Sequence, residues 1–419
     1  MEMDSANPEV AHEFRFFRVY KDGRVEKFLW PTEKIPASDD TITGVQSKDV
    51  VISPEPQVSA RIFRPRITDP TCKLPVLLYI HGGGFSFESA FSTLYDPHVR
   101  TLAAEANAIA ISVEYRLAPE HPIPACYDDC WTALQWLASH SGGNGPEPWL
   151  NNNADFDRVF IGGDSAGGNI SHTLAVRIGS SGLPGLNLAG TVLVHPFFGG
   201  LEEDDKMWLY MCPTSSGLED PRIKPPAGDL VTIGCERMLV FLAENDHLRR
   251  VSGAYCEELK KSGWGGKLEI VESPGEEHCF HLFNPSSEKA VAVIKKIASF
   301  INQKRGPEHP LPIAYDDSWA ALKWVASHST GGGHEPWLND YVDFKRIFLA
   351  RDSVGANIAH NMAIRVGSED PDVIKLVGIV LVHPYFWGKE PIGAEDADVQ
   401  QKWHAENVAF RVAINERVR

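Results

Sequence analysis

Gly163, Ser165 and Gly167 spell G-x-S-x-G inside the stretch GGDSAGGN (162–169). An apolar run, RVFIG (158–162), leads into it, and a helical pattern follows. A nucleophile elbow requires this strand–serine–helix context. The turn is sharp, the hydroxyl stands exposed at its tip, and a Cβ on either flanking residue would strike a neighbouring strand or helix. A second glycine-rich stretch, HGGGF (81–85), closes another apolar run. Acyl transfer passes through a tetrahedral oxyanion, and the N–H groups of unencumbered glycines can be aimed at it. Gly83, Gly84 and Ala166, the residue after the serine, are the expected oxyanion donors.

A serine hydroxyl needs a base, and the base needs an orienting carboxylate. On this scaffold they follow in the chain order Ser, Asp/Glu, His. Asp246 lies just beyond the apolar run RMLVFLAE, and His278 in the loop directly after KLEIVES. His281 is expected to be structural, at the start of the next helix. His247, beside Asp246, is expected to point elsewhere, and Asp164 to support the wall of the site. Asp128 and Asp129 are expected to cap a helix and complement its dipole. Cys126 and Cys130 have no second pair at ligand spacing, so no metal is expected.

These residues must be carried by regular elements. LPVLLYI (74–80), AIAISVEY (108–115), RVFIG, TVLVH (191–195) and RMLVFLAE (237–244) are near-continuously apolar, as strands covered on both faces are. Helix candidates lie between them, among them YDDCWTALQWLAS (127–139), with Trp131, Leu134 and Leu137 on one face. The alternation predicts an α/β fold on a parallel sheet. Residues 48–65 predict an edge hairpin broken at a Pro-rich turn. Residues 294–306 predict a last amphipathic helix, so that a complete domain would end near Gln303.

The chain has 419 residues, 43% of them apolar, which is enough for a full core, and a net charge of −16. An acidic surface repels phosphate backbones and anionic lipid, so neither nucleic acid nor membrane is the expected partner. The opening MEMDSANPEV has no basic and apolar signal pattern, and no apolar run approaches the length of a membrane span. The seven scattered cysteines then read as reduced thiols in a cytoplasmic protein.

HGGGF, SVEYRLAPEHPIPA, GDSAGG, LAENDHLR and GEEHCFHLFNP together resemble the plant carboxylesterases of the hormone-sensitive-lipase-like α/β-hydrolase family, over residues 12–303. The resemblance implies a mostly parallel, eight-stranded sheet with helices on both faces and a cap partly built from N-terminal helices. It implies hydrolysis of an uncharged small-molecule carboxylic ester, without metal or cofactor, by a monomer or homodimer. By position it makes Ser165 the nucleophile, Asp246 the acid and His278 the base, with Gly83, Gly84 and Ala166 at the oxyanion. Two relatives do other work. The 2-hydroxyisoflavanone dehydratases keep the triad and perform an elimination; threonine for the serine, or HGGA for HGGG, marks some of them and is not found here. The gibberellin receptors lose the catalytic histidine, and His278 is present.

From Pro307 the chain repeats itself. PEHPIPACYDDCWTALQWLASHS (from Pro119) returns as PEHPLPIAYDDSWAALKWVASHS, and the match runs without a gap to LVHPFF and LVHPYF. The copy begins in mid-fold. In FLARDSVGAN, Ser353 matches Ser165, but Arg351 replaces Gly163 and Ala356 replaces Gly168. Arg351 is expected to crowd the elbow. No HGGG precedes the copy, and nothing after it matches Asp246 or His278. A serine without donors, base or orienter is not a useful nucleophile. The expected division is a complete α/β-hydrolase domain over 1–303 and a partial, degenerate repeat without an active site over 304–419, joined by gene fusion or by an error of gene prediction.

Overall fold

Period-two alternation decides the N-terminal segment. In FRVY, Phe17 and Val19 are buried while Arg18 and Tyr20 are half-buried, and Gly23, at φ +86°, completes a tight turn after Asp22. The result is an antiparallel three-stranded sheet of β1 (Val10–Glu13), β2 (Phe17–Tyr20) and β3 (Val25–Lys27). The cap helices expected at the N-terminus are therefore replaced, among the described residues, by strands, because this pattern buries one face of a ribbon rather than a helical stripe. The computed structural model describes residues 9–28, 33–67, 69, 71–200, 202–303, 313–330, 335–369, 376–382 and 411–413.

A nine-stranded sheet follows. In chain order it comprises β4 (Asp39–Asp40), β5 (Val45–Pro54), β6 (Gln57–Pro65), β7 (Leu74–Ile80), β8 (Ile109–Glu114), β9 (Ala154–Asp164), β10 (Leu188–Val194), β11 (Arg237–Ala243) and β12 (Lys267–Ser273). In space the order is β12-β11-β10-β9-β7-β8-β6-β5-β4. The expected eight strands are extended by the two-residue β4. The β5–β6 hairpin pairs antiparallel to β8, and every pairing from β8 to β12 is parallel. Ile80 and Leu193 both lie opposite Gly163, so β7, β9 and β10 end level.

Side chains that alternate along each strand feed two separate cores. Val76, Leu78 and Ile80 face one core, and Leu77 and Tyr79 the other. The first core is covered by α2 (Ala125–Ala138), α4 (Ala166–Ser181) and α7 (Arg249–Lys261), through Leu134, Leu174 and Leu259. The second is covered by α1 (Tyr95–Ala106) and α9 (Glu288–Asn302), through Leu102 and Ile297. The last helix thus starts earlier than expected, where Ser287 accepts from the Ala290 amide as its N-cap. Shorter helices are α3 (Pro148–Asn153), α5 (Glu202–Met211), α6 (Ala227–Val231) and α8 (Phe280–Phe283). Asp129 does not cap α2. It is buried, and both its oxygens take the guanidinium of Arg116, leaving Asp128 in the first turn.

The chain separates into two compact units, Met1–Gln303 and Lys304–Arg419. The second holds α10 (Ile313–Ser327), α11 (Pro336–Tyr341), β13 (Ile347–Asp352), α12 (Ser353–Glu369), β14 (Leu376–Val382) and β15 (Arg411–Ala413). Its described core is small: Trp319, Leu322, Ala326, Met362 and Val366. Strand β14 is mostly half-buried, whereas its sequence counterpart β10 is wholly buried. The stem of Arg351 lies against the turn: a Cβ on Gly355 would stand 3.3 Å from its Cδ. The residue is exposed, because β13 is an edge strand among the described residues and no neighbour stands where β7 stands beside β9. The continuation of the 304–306 segment into a basic helix end lies outside the described residues.

Candidate active site

Parallel strands that end level place their following loops along one rim. That rim carries the HGGG loop after β7, Ser165 after β9, His195 after β10, Asp246 beyond β11 and His278 beyond β12. Ser165 has φ 51° and ψ −117°, a strained conformation for a residue with a Cβ, and its amide bonds the carbonyl of Val194 at 2.9 Å. The flanking glycines are required by contact. A Cβ on Gly163 would lie 2.3 Å from the carbonyl oxygen of Ile80, and one on Gly167 only 2.0 Å from the same atom. In the second unit, α12 begins at Ser353 itself, whereas α4 begins one residue after Ser165.

The three residues that sequence order brought forward meet here. Ser165 Oγ is 2.9 Å from His278 Nε2, and His278 Nδ1 is 2.8 Å from Asp246 Oδ2. Burial pushes the Asp246 carboxyl up. The hydrogen bonds from His247, His278 and the Leu248 amide outweigh it and hold the group well below the usual carboxylate range. Asp246 is thus an acceptor, so the proton of His278 sits on Nδ1 and the lone pair of Nε2 faces the serine hydroxyl. His281 lies in α8, 1% exposed; burial above all, then His98, His195 and His278, keeps it neutral and far below its ordinary pKa. His247 departs from expectation. It turns toward Asp246, with Nδ1 3.3 Å from Oδ1, because the sharp turn after β11 puts both side chains on the rim.

The HGGG loop and the elbow are tied together by Asp164, which accepts the hydroxyls of Tyr79 at 2.8 Å and Tyr95 at 2.7 Å. Tyr95 Oη in turn accepts the Gly82 amide at 2.9 Å, and Tyr115 donates to the His81 carbonyl at 2.9 Å. Burial raises the Asp164 carboxyl, opposed by the Tyr95 and Tyr79 hydrogen bonds. Its expected supporting role therefore has a definite form: it anchors the loop bearing the candidate donors. Gly83 and Gly84 have φ +96° and +54°, and a Cβ on Gly83 would meet the Phe87 carbonyl at 2.2 Å. No hydrogen bond among the described residues takes up the amide of Gly83, Gly84 or Ala166, and all three border one cavity with Ser165 and His278. His195, held neutral by burial with its pKa near 3, accepts the Cys279 amide at 3.0 Å and so steadies the residue after His278. Tyr79, Tyr95 and His195 were not anticipated from sequence. The signal available was local: Tyr79 and His195 sit at strand ends, whereas Tyr95, which opens α1, carried none.

The cavity measures about 610 Å³ and is walled by Phe16, Phe85, Phe87, Leu94, Met207 and Leu282. Phe16 comes from the turn between β1 and β2, and Met207 from α5. Two sets, His195–His278–Cys279 and Asp246–His247–His278, bring possible metal-binding atoms within 4.8 Å of one another. Both share His278, whose two nitrogens already face Ser165 and Asp246. The arrangement can deprotonate a serine, hold the imidazolium that forms, and surround an apolar substrate.

The alpha/beta hydrolase fold family matches residues 77–282 and again residues 288–415. A 2-hydroxyisoflavanone dehydratase of Glycyrrhiza echinata is 44% identical, the alignment covering 68% of this chain and 93% of that protein. Probable carboxylesterase 5 of Arabidopsis thaliana is also 44% identical, over 70% of this chain and 98% of its own length. Among solved structures, a hyperthermophilic esterase from Pyrobaculum calidifontis superposes with a TM-score of 0.51 at 29% identity, covering 61% of this chain and 85% of the other.

Proposed function

We propose a reaction on the premise that this chain belongs to the alpha/beta hydrolase fold family: it is a serine carboxylesterase that hydrolyses uncharged esters through an acyl-enzyme. The observation that carries the reading is the unbroken series Ser165–His278–Asp246, at 2.9 and 2.8 Å. Ser165 Oγ attacks the acyl carbon while His278 Nε2 takes its proton. The carbonyl oxygen becomes an oxyanion facing the amides of Gly83, Gly84 and Ala166. Collapse expels the alcohol, which takes the proton back from His278. Water, deprotonated by the same nitrogen, then releases the acid and restores the serine. Apolar cavity walls favour an uncharged substrate, since an ion would lose its hydration there. All seven cysteines are free, the state that a reducing compartment such as the cytoplasm maintains.

Likeness to a protein named 2-hydroxyisoflavanone dehydratase supports a second reading, elimination of water from such a substrate at the same site. One assay separates them. p-Nitrophenyl esters of rising acyl length and a 2-hydroxyisoflavanone are offered in parallel. Ester turnover that exceeds isoflavone formation in kcat/KM is expected; the reverse order would make the dehydratase reading the right one.

The complete hydrolase is assigned to residues 1–303, and 304–419 to a degenerate repeat without an active site. Support comes from the second unit's small core and its exposed Trp337, Tyr341 and Phe348, at 58%, 85% and 54%. Among the described residues β13 is a sheet edge, and such an edge is an aggregation hazard rather than a catalytic scaffold. Truncation after Gln303 is expected to leave kcat unchanged and Tm within about 3 °C of the full chain, with equal or better soluble yield. Loss of activity, or a larger fall in Tm, would show that the repeat is integral to the enzyme.

A further inference from the structure

Arg15, between β1 and β2, reaches the rim of the cavity and places Nη1 2.9 Å from Nε2 of His247. A guanidinium offers no lone pair and does not deprotonate, so Arg15 donates and Nε2 accepts. A neutral imidazole carries one proton, which must then sit on Nδ1. That nitrogen lies 3.3 Å from Asp246 Oδ1, the oxygen that does not face His278. We propose that Arg15 and His247 are positioning residues for the catalytic carboxylate: Arg15 selects the Nδ1–H tautomer of His247, and His247 donates that proton to the outer oxygen of Asp246. The inference rests on the Ser165–His278–Asp246 reading.

The physical need is plain. The terminal torsion of an aspartate is broad, so each further contact on an oxygen narrows the swing of its plane. The Leu248 amide at 2.8 Å on Oδ1 and His278 on Oδ2 give each end one hydrogen bond, and His247 at 3.3 Å adds a second contact at the outer end. Asp204 of α5, itself buried, stands 3.6 Å from Arg15 and 3.7 Å from His247 and braces the bridge. Glu202 of α5, Glu277 and His278 line the same recess as His247. The turn between β1 and β2 therefore bears on the chemistry at two points. Arg15 acts through His247, and Phe16 lies so close to Gly84 that a Cβ there would come within 2.6 Å of its ring. A positioning role of this kind carries a modest cost, well below that of removing the triad itself.

The test uses His247→Val, His247→Asn and Arg15→Met in the full chain, and also Arg15→Met in the His247→Asn background. Asparagine keeps an N–H donor near the Nδ1 position and has no tautomer to select. Readouts are kcat and KM on p-nitrophenyl butyrate, the rate of Ser165 labelling by a fluorophosphonate, and Tm. His247→Val is expected to lower kcat and labelling by about 10- to 100-fold, with KM within about threefold and Tm little changed. His247→Asn is expected to recover most of that loss. Arg15→Met is expected to cost about three- to tenfold in the wild-type background and nothing further beside His247→Asn, because the two act in series. Wild-type rates in His247→Val, an asparagine as slow as valine, or an equal Arg15→Met cost in both backgrounds would each overturn the inference. A wild-type chain that is labelled at Ser165 but leaves the ester intact overturns the esterase reading alone, since labelling still ranks the variants. A wild-type chain that is not labelled removes the triad and this inference with it.

Discussion

Ser165→Ala is expected to lower kcat for ester hydrolysis by about a hundred-thousandfold or more, with a folded protein and a nearly unchanged Tm. In a serine hydrolase the nucleophile and base act as one unit, and removing either costs most of what removing all of them would. The residual rate over water would come from the oxyanion donors and from holding the substrate. The substitution deletes one oxygen at a strained position, φ 51°, and leaves the β9–α4 turn its glycines. A fluorophosphonate probe is expected to label Ser165 in the wild-type chain, and labelling should disappear in the variant. Ser353, for which no base or donor loop is expected, should stay unlabelled throughout. Labelling that survives Ser165→Ala would move the nucleophile elsewhere.

His278→Ala is expected to be almost as damaging, by about ten-thousandfold or more in kcat, with KM little affected. The imidazole is the only group bonded to Ser165 Oγ among the described residues, and nothing beside it can take the proton. His281→Ala is the control. It leaves the chemistry intact, since the ring is buried in α8 and kept neutral, so its cost should appear in Tm through the cavity it opens. Activity should also fall on acidification, because a protonated imidazole cannot accept the serine proton. Equal kcat losses in the two variants would show that the base has been misassigned.

The motifs were legible because they are local. G-x-S-x-G after an apolar run and HGGGF after another both encode a strand-to-loop transition, and the structure places each at a strand end. Leu74–Ile80 is the strand that the apolar run outlined, residue for residue. The family likeness implies N-terminal cap helices, whereas among the described residues Phe17, Arg18, Val19 and Tyr20 form a strand, because their burial alternates with period two. His247 was misjudged for another reason: the direction of a side chain in a turn is set by its partners, Arg15 and Asp246, one of which is 232 positions away.

By itself, then, the sequence determined the α/β class, the order of strand, elbow and loop, and the chemical types of the three candidate acyl-transfer residues, since these depend on periodicity and on neighbours within a few positions. Only the tertiary structure decided that Ser165, Asp246 and His278 stand in hydrogen-bonding series, that Asp164 ties the HGGG loop to the elbow through Tyr79 and Tyr95, and that Arg15, between β1 and β2, reaches His247 beside Asp246. Parallel strands that end level bring together residues more than a hundred positions apart. That register is set by the packing of two cores against one sheet, which no short stretch of chain contains.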